Sequence, residues 1–268
     1  MAHLYNDDLR LAHVLADNAD SLSMDRFGAL DLQVDTKPDM TYVTESDQAV
    51  EAAIRRNLKS ARTRDLVLGE EEGQSNTDAR QEEGGRRWII DPIDGTSNFL
   101  RGVPIWGTLI SLVIDGVPQV GVVSSPALGK RWWAATGHGA FAQAHGSDPE
   151  QLSVSKVASL DAASISYNSL SGWDGAGRLD AVVALTRATW RSRAIGDMWA
   201  YMLLAEGSLD VVGEFDLQPY DIAALIPIVL EAGGTFTSVS GEPGPWHGSA
   251  LATNGTLHDE VLSFLRTH

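Results

Sequence analysis

Apolar side chains recur near the helical period at Leu9, Ala12, Leu15, Ala16, Ala19 and Leu22, which predicts a first helix over 7–27. After a break around 35–39, Thr44 with Asp47 three residues on has the form of a helix start. Ala49, Val50, Ala53, Ile54 and Leu58 form the inner face of that second helix. The pattern then shortens into strand-like runs. Leu66-Val67-Leu68 ends in Gly69-Glu70-Glu71-Glu72-Gly73, residues 74–86 read as an exposed loop, and Trp88-Ile89-Ile90 runs straight into Asp91-Pro92-Ile93-Asp94-Gly95-Thr96. Asp115-Gly116 lies between apolar runs at 109–114 and 120–124, a hairpin signal, and 131–135 and 139–142 prolong the antiparallel series. Further on, strands are predicted at 164–167, 190–194, 211–212 leading to Glu214, 235–239 and 250–253. Helices are predicted at 179–186, 197–206 with Gly207 as stop, 220–232 and 258–266. Pro227 falls inside the 220–232 helix and must kink it or sit where the lost hydrogen bond is tolerated. The layout is α+β, with layered sheets and helices in one domain over 1–268 whose two halves divide at about residue 150.

Composition narrows the partners. The formal charge is −16, from 36 acidic and 20 basic side chains, with basic residues only in short groups such as Arg55-Arg56, Arg86-Arg87 and Lys130-Arg131. Such a surface repels nucleic acid and anionic membranes. No apolar run is long enough for a membrane span, and Met1 to Asp8 has no signal-peptide character, so a cytoplasmic location is expected. Without cysteine there are no disulfides and no thiolate metal sites.

Most of the surplus acid reads as solvated surface, but a few carboxylates sit in apolar or glycine-rich settings. Two apolar β-formers deliver Asp91 to a strand end, Pro92 is expected to end the ladder, and the turn lets Asp94 point back toward Asp91. Paired acids repel unless a cation lies between them. Gly95 lets the backbone approach a ligand, and the amides from Gly95 through Ser97 can form an anion nest beside the carboxylates, an arrangement suited to magnesium and phosphate. Taken alone, the segment reads equally as an Asx-turn. Its company favours chemistry: Gly69-Glu70-Glu71 repeats the strand-then-acid format, and Pro219-Tyr220-Asp221-Ile222 opens an apolar helix with another acid, in a position an N-cap also occupies.

With Gly69-Glu70-Glu71, the run from Trp88 to Phe99 and Tyr220-Asp221-Ile222-Ala223-Ala224 in that order, the chain resembles the inositol monophosphatase family over essentially its whole length. The resemblance implies a five-layer αβαβα sandwich, dependence on magnesium with two or three ions per site, lithium sensitivity and a homodimer. It assigns Glu70, Asp91, the Ile93 carbonyl, Asp94 and Asp221 to the metals. Glu70 and Thr96, backed by Asp47, would orient the attacking water, and Gly95, Thr96 and Ser97 would hold phosphate. The chain departs from the family at Tyr220, where tryptophan is usual, and at Ser97, where threonine or lysine is frequent; packing and lysine-dependent specificity are the properties affected. His13, His138, His145, His247 and His258 are read as ordinary surface or loop residues.

Four stretches, Asp35 to Thr41, Arg131 to Ala135, Ser169 to Trp173 and Gly196 to Tyr201, resemble the actinobacterial histidinol-phosphatase branch of the family. That branch hydrolyses L-histidinol phosphate in histidine biosynthesis. Asp197 and Glu214 would add negative charge beyond the phosphate site, which favours a leaving group bearing an ammonium and an imidazole. Asp197 also reads as a helix N-cap, and Trp173 and Trp199 as core residues rather than an imidazole platform. The alternatives are an inositol-1-phosphatase or broad sugar-phosphate phosphatase and, in another class, a non-catalytic ligand-binding relative.

Overall fold

The structure is a computed structural model and describes residues 4–37, 42–74 and 85–268. Pro38 to Thr41 of one stretch resembling the histidinol-phosphatase branch, and most of the loop expected over 74–86, lie outside the described residues.

Helix α1 (Asn6–Met24) is followed by a ribbon of β1 (Val34–Thr36) and β2 (Tyr42–Thr44), then by α2 (Glu45–Ala61). The predicted start of α2 is a complete capping box: the Thr44 side chain accepts the Asp47 amide, and the Asp47 carboxylate accepts the Thr44 amide. Next come β3 (Leu66–Gly69), β4 (Gly73–Gln74), β5 (Arg86–Asp94), the short α3 (Thr96–Leu100), β6 (Gly107–Ile114), β7 (Val117–Ser125), β8 (Lys130–Ala135), β9 (Ala140–Ala144) and β10 (Glu150–Gln151). They form an eight-stranded sheet in the order β10-β9-β8-β7-β6-β5-β3-β4, antiparallel throughout except for β3 beside β5. Asp115 and Gly116 both adopt positive φ at the β6–β7 hairpin, as a tight turn there requires.

The second half contains β11 (Ser164–Ser166), α4 (Leu170–Gly175), α5 (Leu179–Ala188), β12 (Arg191–Arg193), α6 (Asp197–Ala205), β13 (Val211–Phe215), α7 (Pro219–Ile222), α8 (Leu225–Glu231), β14 (Thr235–Thr237), β15 (Ser249–Thr253) and α9 (His258–Thr267). Its five strands follow the order β12-β11-β13-β15-β14. The core explains the layering. Leu15, Ala16, Val50 and Ile54 of α1 and α2 pack on Trp88, Ile90, Ile110 and Val122 of the large sheet. On its other face, α6 and α8 join Leu109, Val123 and Trp132 to Val212, Phe236, Ala250 and Ala252 of the smaller sheet. Helices α5 and α9 cover the far face of that sheet through Val182, Leu185, Val261 and Leu265. The layers are therefore αβαβα. No helix among the described residues is long and apolar enough to cross a membrane.

Two expectations are corrected. Pro92 does not end its strand: β5 continues to Asp94, with a bulge between Asp91 and Asp94 opposite Leu109 and Gly107. A bulge tolerates the missing amide hydrogen of proline, and the Pro92 carbonyl accepts the Thr108 hydroxyl at 2.8 Å. The helix expected over 220–232 is two helices, α7 and α8. Pro227 cannot donate to the Ala223 carbonyl one turn earlier, and the Ser111 hydroxyl of β6 takes that carbonyl instead at 3.1 Å. The break thus occurs against the sheet.

The same junction presses on β7. A Cβ on Gly121 would lie 2.1 Å from the Ala224 carbonyl oxygen and 2.8 Å from Pro227 Cγ. Gly121→Ala is expected to lower the unfolding free energy by about 3 kcal/mol. Urea denaturation measures this, and a variant as stable as the parent would refute the tight packing.

Candidate active site

The acids gather where the ends of β5 and β13 meet the starts of α3, α6 and α7. In a regular strand, residues three apart face opposite sides. The extra residue in the bulge turns Asp94 to the side Asp91 faces, and each of these two carboxyl groups titrates well above the usual range. For Asp91 the causes are burial and then the charges of Glu70, Asp94, Asp221 and Asp47. For Asp94 they are burial and Asp197, opposed by the Met198 amide that donates to Asp94 Oδ2. Asp91 is 2% exposed, and its buried Oδ1 has no hydrogen-bond partner in the protein.

Gly95 follows with φ +84°, and its carbonyl accepts the amides of Asn98 and Phe99 to open α3. That turn leaves the amides of Thr96 and Ser97 at a helix start, where no intrahelical carbonyl reaches them. A Cβ at Gly95 would meet the Ile105 carbonyl at 3.1 Å and Asp197 Oδ2 at 3.4 Å. The Thr96 hydroxyl lies 3.0 Å from the Ile93 carbonyl and 3.3 Å from Asp47 Oδ1. Asp47 is fully buried, with Oδ2 held by the Thr44 amide and hydroxyl.

Neither Asp197 nor Asp221 is an N-cap. Gly196 caps α6; Asp197 is its first residue, with φ +55°, and its Oδ2 accepts the Asn98 side-chain amide at 2.8 Å. Gln218 caps α7, and Asp221 returns its carboxylate to the Gln218 amide at 2.6 Å. Burial, followed by the charges of Glu70 and Asp216, pushes Asp221 up to about 7. Glu214, 4% exposed on β13, is pushed up to about 8 by burial, Asp221 and Asp197, and its Oε2 has no partner in the protein.

Glu70 stands in the turn between β3 and β4, where Lys37 Nζ contacts it and Glu71, each at 2.7 Å. Among the described residues, no group of three carboxylate or imidazole side chains forms a ready-made metal cage. The hydrogen bonds explain this, since Lys37 takes Glu70, Met198 takes Asp94 and Gln218 takes Asp221. The donor set nevertheless fits a hard divalent cation. All its atoms are oxygens, Asp91 Oδ1 lacks a partner, and the buried acids hold each other in the protonated direction for want of positive charge.

The sequence pattern does not disclose Asn98, which donates to Asp197, although it lies within the run from Trp88 to Phe99. Nor does the pattern disclose Lys37 as a partner of Glu70, or Glu51, which shares a helical face with Asp47. Two histidines depart from their expected surface setting. His258 is buried between the Thr237 and Thr253 hydroxyls. Burial and Arg131 lower His13 to about 4 as it packs edge-on against Trp133. Trp173 is core as expected, its indole donating to the Tyr167 carbonyl.

Residues 7–268 match the sequence profile of the inositol monophosphatase family. The chain belongs to that family. Family members are metal-dependent phosphatases, hydrolases of phosphate monoesters. This member is 56% identical over 265 residues to a histidinol-phosphatase of Streptomyces coelicolor, covering 97% of each chain. It is likewise 56% identical over 260 residues to a histidinol-phosphatase of Mycobacterium tuberculosis, covering 97% of this chain and 98% of the relative. Among solved structures, an IMPase from Thermotoga maritima superposes with a TM-score of 0.84 at 31% identity over 97% of each chain. The layered α+β fold expected from the sequence is the fold of this family.

The carboxyl groups set a pH dependence. Glu214 and Asp221 titrate at about 8 and about 7 when folded, against ordinary values of 4.5 and 3.8. Between those limits the folded chain binds more protons than the unfolded one, so stability falls as pH rises. Metal-free protein in chelator should lose thermal stability from about pH 4.5 to about pH 8, and saturating magnesium should remove most of that slope. Melting curves across this range measure it; a flat or rising profile without metal would contradict the mutual destabilisation of these acids.

Proposed function

We propose that this phosphatase hydrolyses L-histidinol phosphate to L-histidinol and inorganic phosphate. The observation that carries the substrate is the acidic wall beyond the phosphate loop: Glu214 is buried with one carboxylate oxygen unpartnered, and Asp197 is held beside it through Asn98. A leaving group with an ammonium and an imidazole supplies what that wall lacks, and its positive charge would draw Glu214 back to the ionised form. A neutral polyol gains less. Two relatives that carry the histidinol-phosphatase name at 56% identity support the same reading.

In this reading Glu70, Asp91, the Ile93 carbonyl, Asp94 and Asp221 hold magnesium, two or three ions per site. The metal supplies positive charge against the phosphoryl oxygens and acidifies water. The protein residues do the positioning. Asp47 Oδ1 accepts the Thr96 hydroxyl hydrogen, so the Thr96 oxygen presents lone pairs to a water hydrogen. Glu70 takes a second hydrogen bond from the same water and then its proton. The water oxygen forms the new P–O bond in line with the ester P–O bond that breaks. The leaving alkoxide takes a proton from solvent water and becomes the histidinol hydroxyl, while Glu70 returns the proton it took to solvent, so the step balances. The amides of residues 95–97 bind the phosphoryl oxygens. A homodimeric assembly, which rests on family resemblance, and a cytoplasmic location complete the reading.

Phosphate release from L-histidinol phosphate and from inositol-1-phosphate, with and without magnesium, tests the proposal. At least a hundredfold magnesium-dependent preference in kcat/KM for histidinol phosphate is expected, about 2.7 kcal/mol of discrimination. No preference, or preference for inositol phosphate, would overturn the substrate. Glu214→Gln is expected to lower kcat/KM for histidinol phosphate by about tenfold or more while changing that for a neutral-alcohol ester by less than threefold. Equal losses on both esters would remove Glu214 from substrate selection.

A further inference from the structure

The turn that carries Glu70 is built around another acid. Glu51 lies on α2 one turn beyond Asp47, with its side chain fully buried. Its Oε2 accepts the Glu71 amide at 2.7 Å and its Oε1 the Glu72 amide at 3.0 Å. Arg55 donates to Oε1 at 2.7 Å and to the Gly73 carbonyl, where the turn ends. The whole turn from Gly69 to Gly73 is therefore gripped from one side by a single ion pair on α2.

The strand register connects this grip to the metal site. Gly69 pairs with Gly73 across the turn and with Ile90 on β5, the residue before Asp91. Any shift of the turn would move Glu70 relative to Asp91. The fit also dictates the residue at 69: an added Cβ there would lie 2.2 Å from Glu51 Oε1 and 2.6 Å from Oε2. The glycine is thus needed for the passage of a carboxylate, and its missing side chain leaves the space Glu51 fills.

We propose that Glu51 is the positioning residue for the Glu70 metal ligand, setting magnesium affinity without touching the metal or the substrate. The inference rests on the assignment of Glu70 to the metal made above. It explains why a buried acid already neutralised by Arg55 directs both oxygens toward the amides that immediately follow the ligand. Glutamine at position 51 would keep the shape, but only one of its two side-chain heteroatoms can accept, so one of the two turn amides loses its partner and Arg55 keeps only the exposed Glu72 as counter-charge.

The test is magnesium binding by titration calorimetry on purified Glu51→Gln, Gly69→Ala and Glu70→Gln proteins, with melting temperatures measured in chelator. Loss of a hydrogen-bonding partner behind a metal ligand weakens affinity by roughly 10- to 100-fold, and that is the loss expected for Glu51→Gln. Its kcat at saturating magnesium should recover to within about threefold of the parent, because the ligand itself remains. Gly69→Ala, which displaces the Glu51 carboxylate without deleting it, should reproduce the weakened affinity and decides the matter if Glu51→Gln does not fold. A folded Glu51→Gln, or failing that a folded Gly69→Ala, that binds magnesium as the parent does while Glu70→Gln does not would overturn the positioning role and leave the metal assignment standing. Parent-like magnesium binding in Glu70→Gln would remove Glu70 from the metal site and the proposal with it. A lowered melting temperature with unchanged magnesium affinity would mark Glu51 as structural only and equally overturn it.

Discussion

The rest of the site depends on mutual repulsion among buried carboxylates. Asp91, Asp94, Asp221 and Glu214 come from three separate elements, and all titrate in the direction that burial and like charge impose. An isolated chain would not bring these groups together, because each acid removed from water beside another acid is disfavoured. The hydrophobic layers hold them in place. Strand β5 is anchored on both faces by Ile89 and Ile90, and α6 and α8 fill the space between the two sheets. Core burial thus offsets a local cost that protonation or a bound cation relieves.

Several backbone irregularities serve this arrangement. The β5 bulge brings Asp91 and Asp94 to one side, and positive φ at Gly95 starts α3 immediately after them. Asn168, Asp197 and Asp216 also adopt positive φ without being glycine. Asn168 favours the ionised form of Glu214, the charge of Asp197 raises Asp94, and that of Asp216 raises Asp221. Left-handed backbone at non-glycine residues is costly and persists where surrounding structure enforces it. Asparagine and aspartate adopt it more readily than other non-glycine residues; these three lie around the acidic wall assigned to the leaving group, while Asp115 serves the β6–β7 hairpin.

The neighbouring cations also divide into roles. Lys37 contacts Glu70 and Glu71 directly, and burial alone would lower its affinity for a proton, yet these two acids raise it. Arg55 neutralises Glu51 from behind and remains outside the site. A point charge on a flexible stem can yield to a metal ion more readily than a guanidinium held by a carboxylate and a carbonyl at once.

Local sequence carried the helices, most strands and the acids. The helical period of α1, the capping box at Thr44 and Asp47, the Asp115-Gly116 hairpin and the motif from Trp88 to Phe99 are short-range patterns, each complete within a few residues. What the sequence did not disclose depended on partners far along the chain. Pro92 could stay in a strand because Thr108 and the β6 register accommodate a bulge, and the 220–232 helix breaks because Ser111 takes the carbonyl that Pro227 cannot satisfy. Asp197 and Asp221, each legible as a cap, joined the cluster of interacting acids when Asn98, Glu70 and Glu214 were packed near them. Glu51 was indistinguishable from a solvated helix acid until the Glu71 and Glu72 amides were folded onto it. Residue types and local periodicity determine which groups are available and which segments can be regular; only tertiary packing decides which backbone group a buried carboxylate meets, because that partner is chosen by the burial of apolar surface elsewhere.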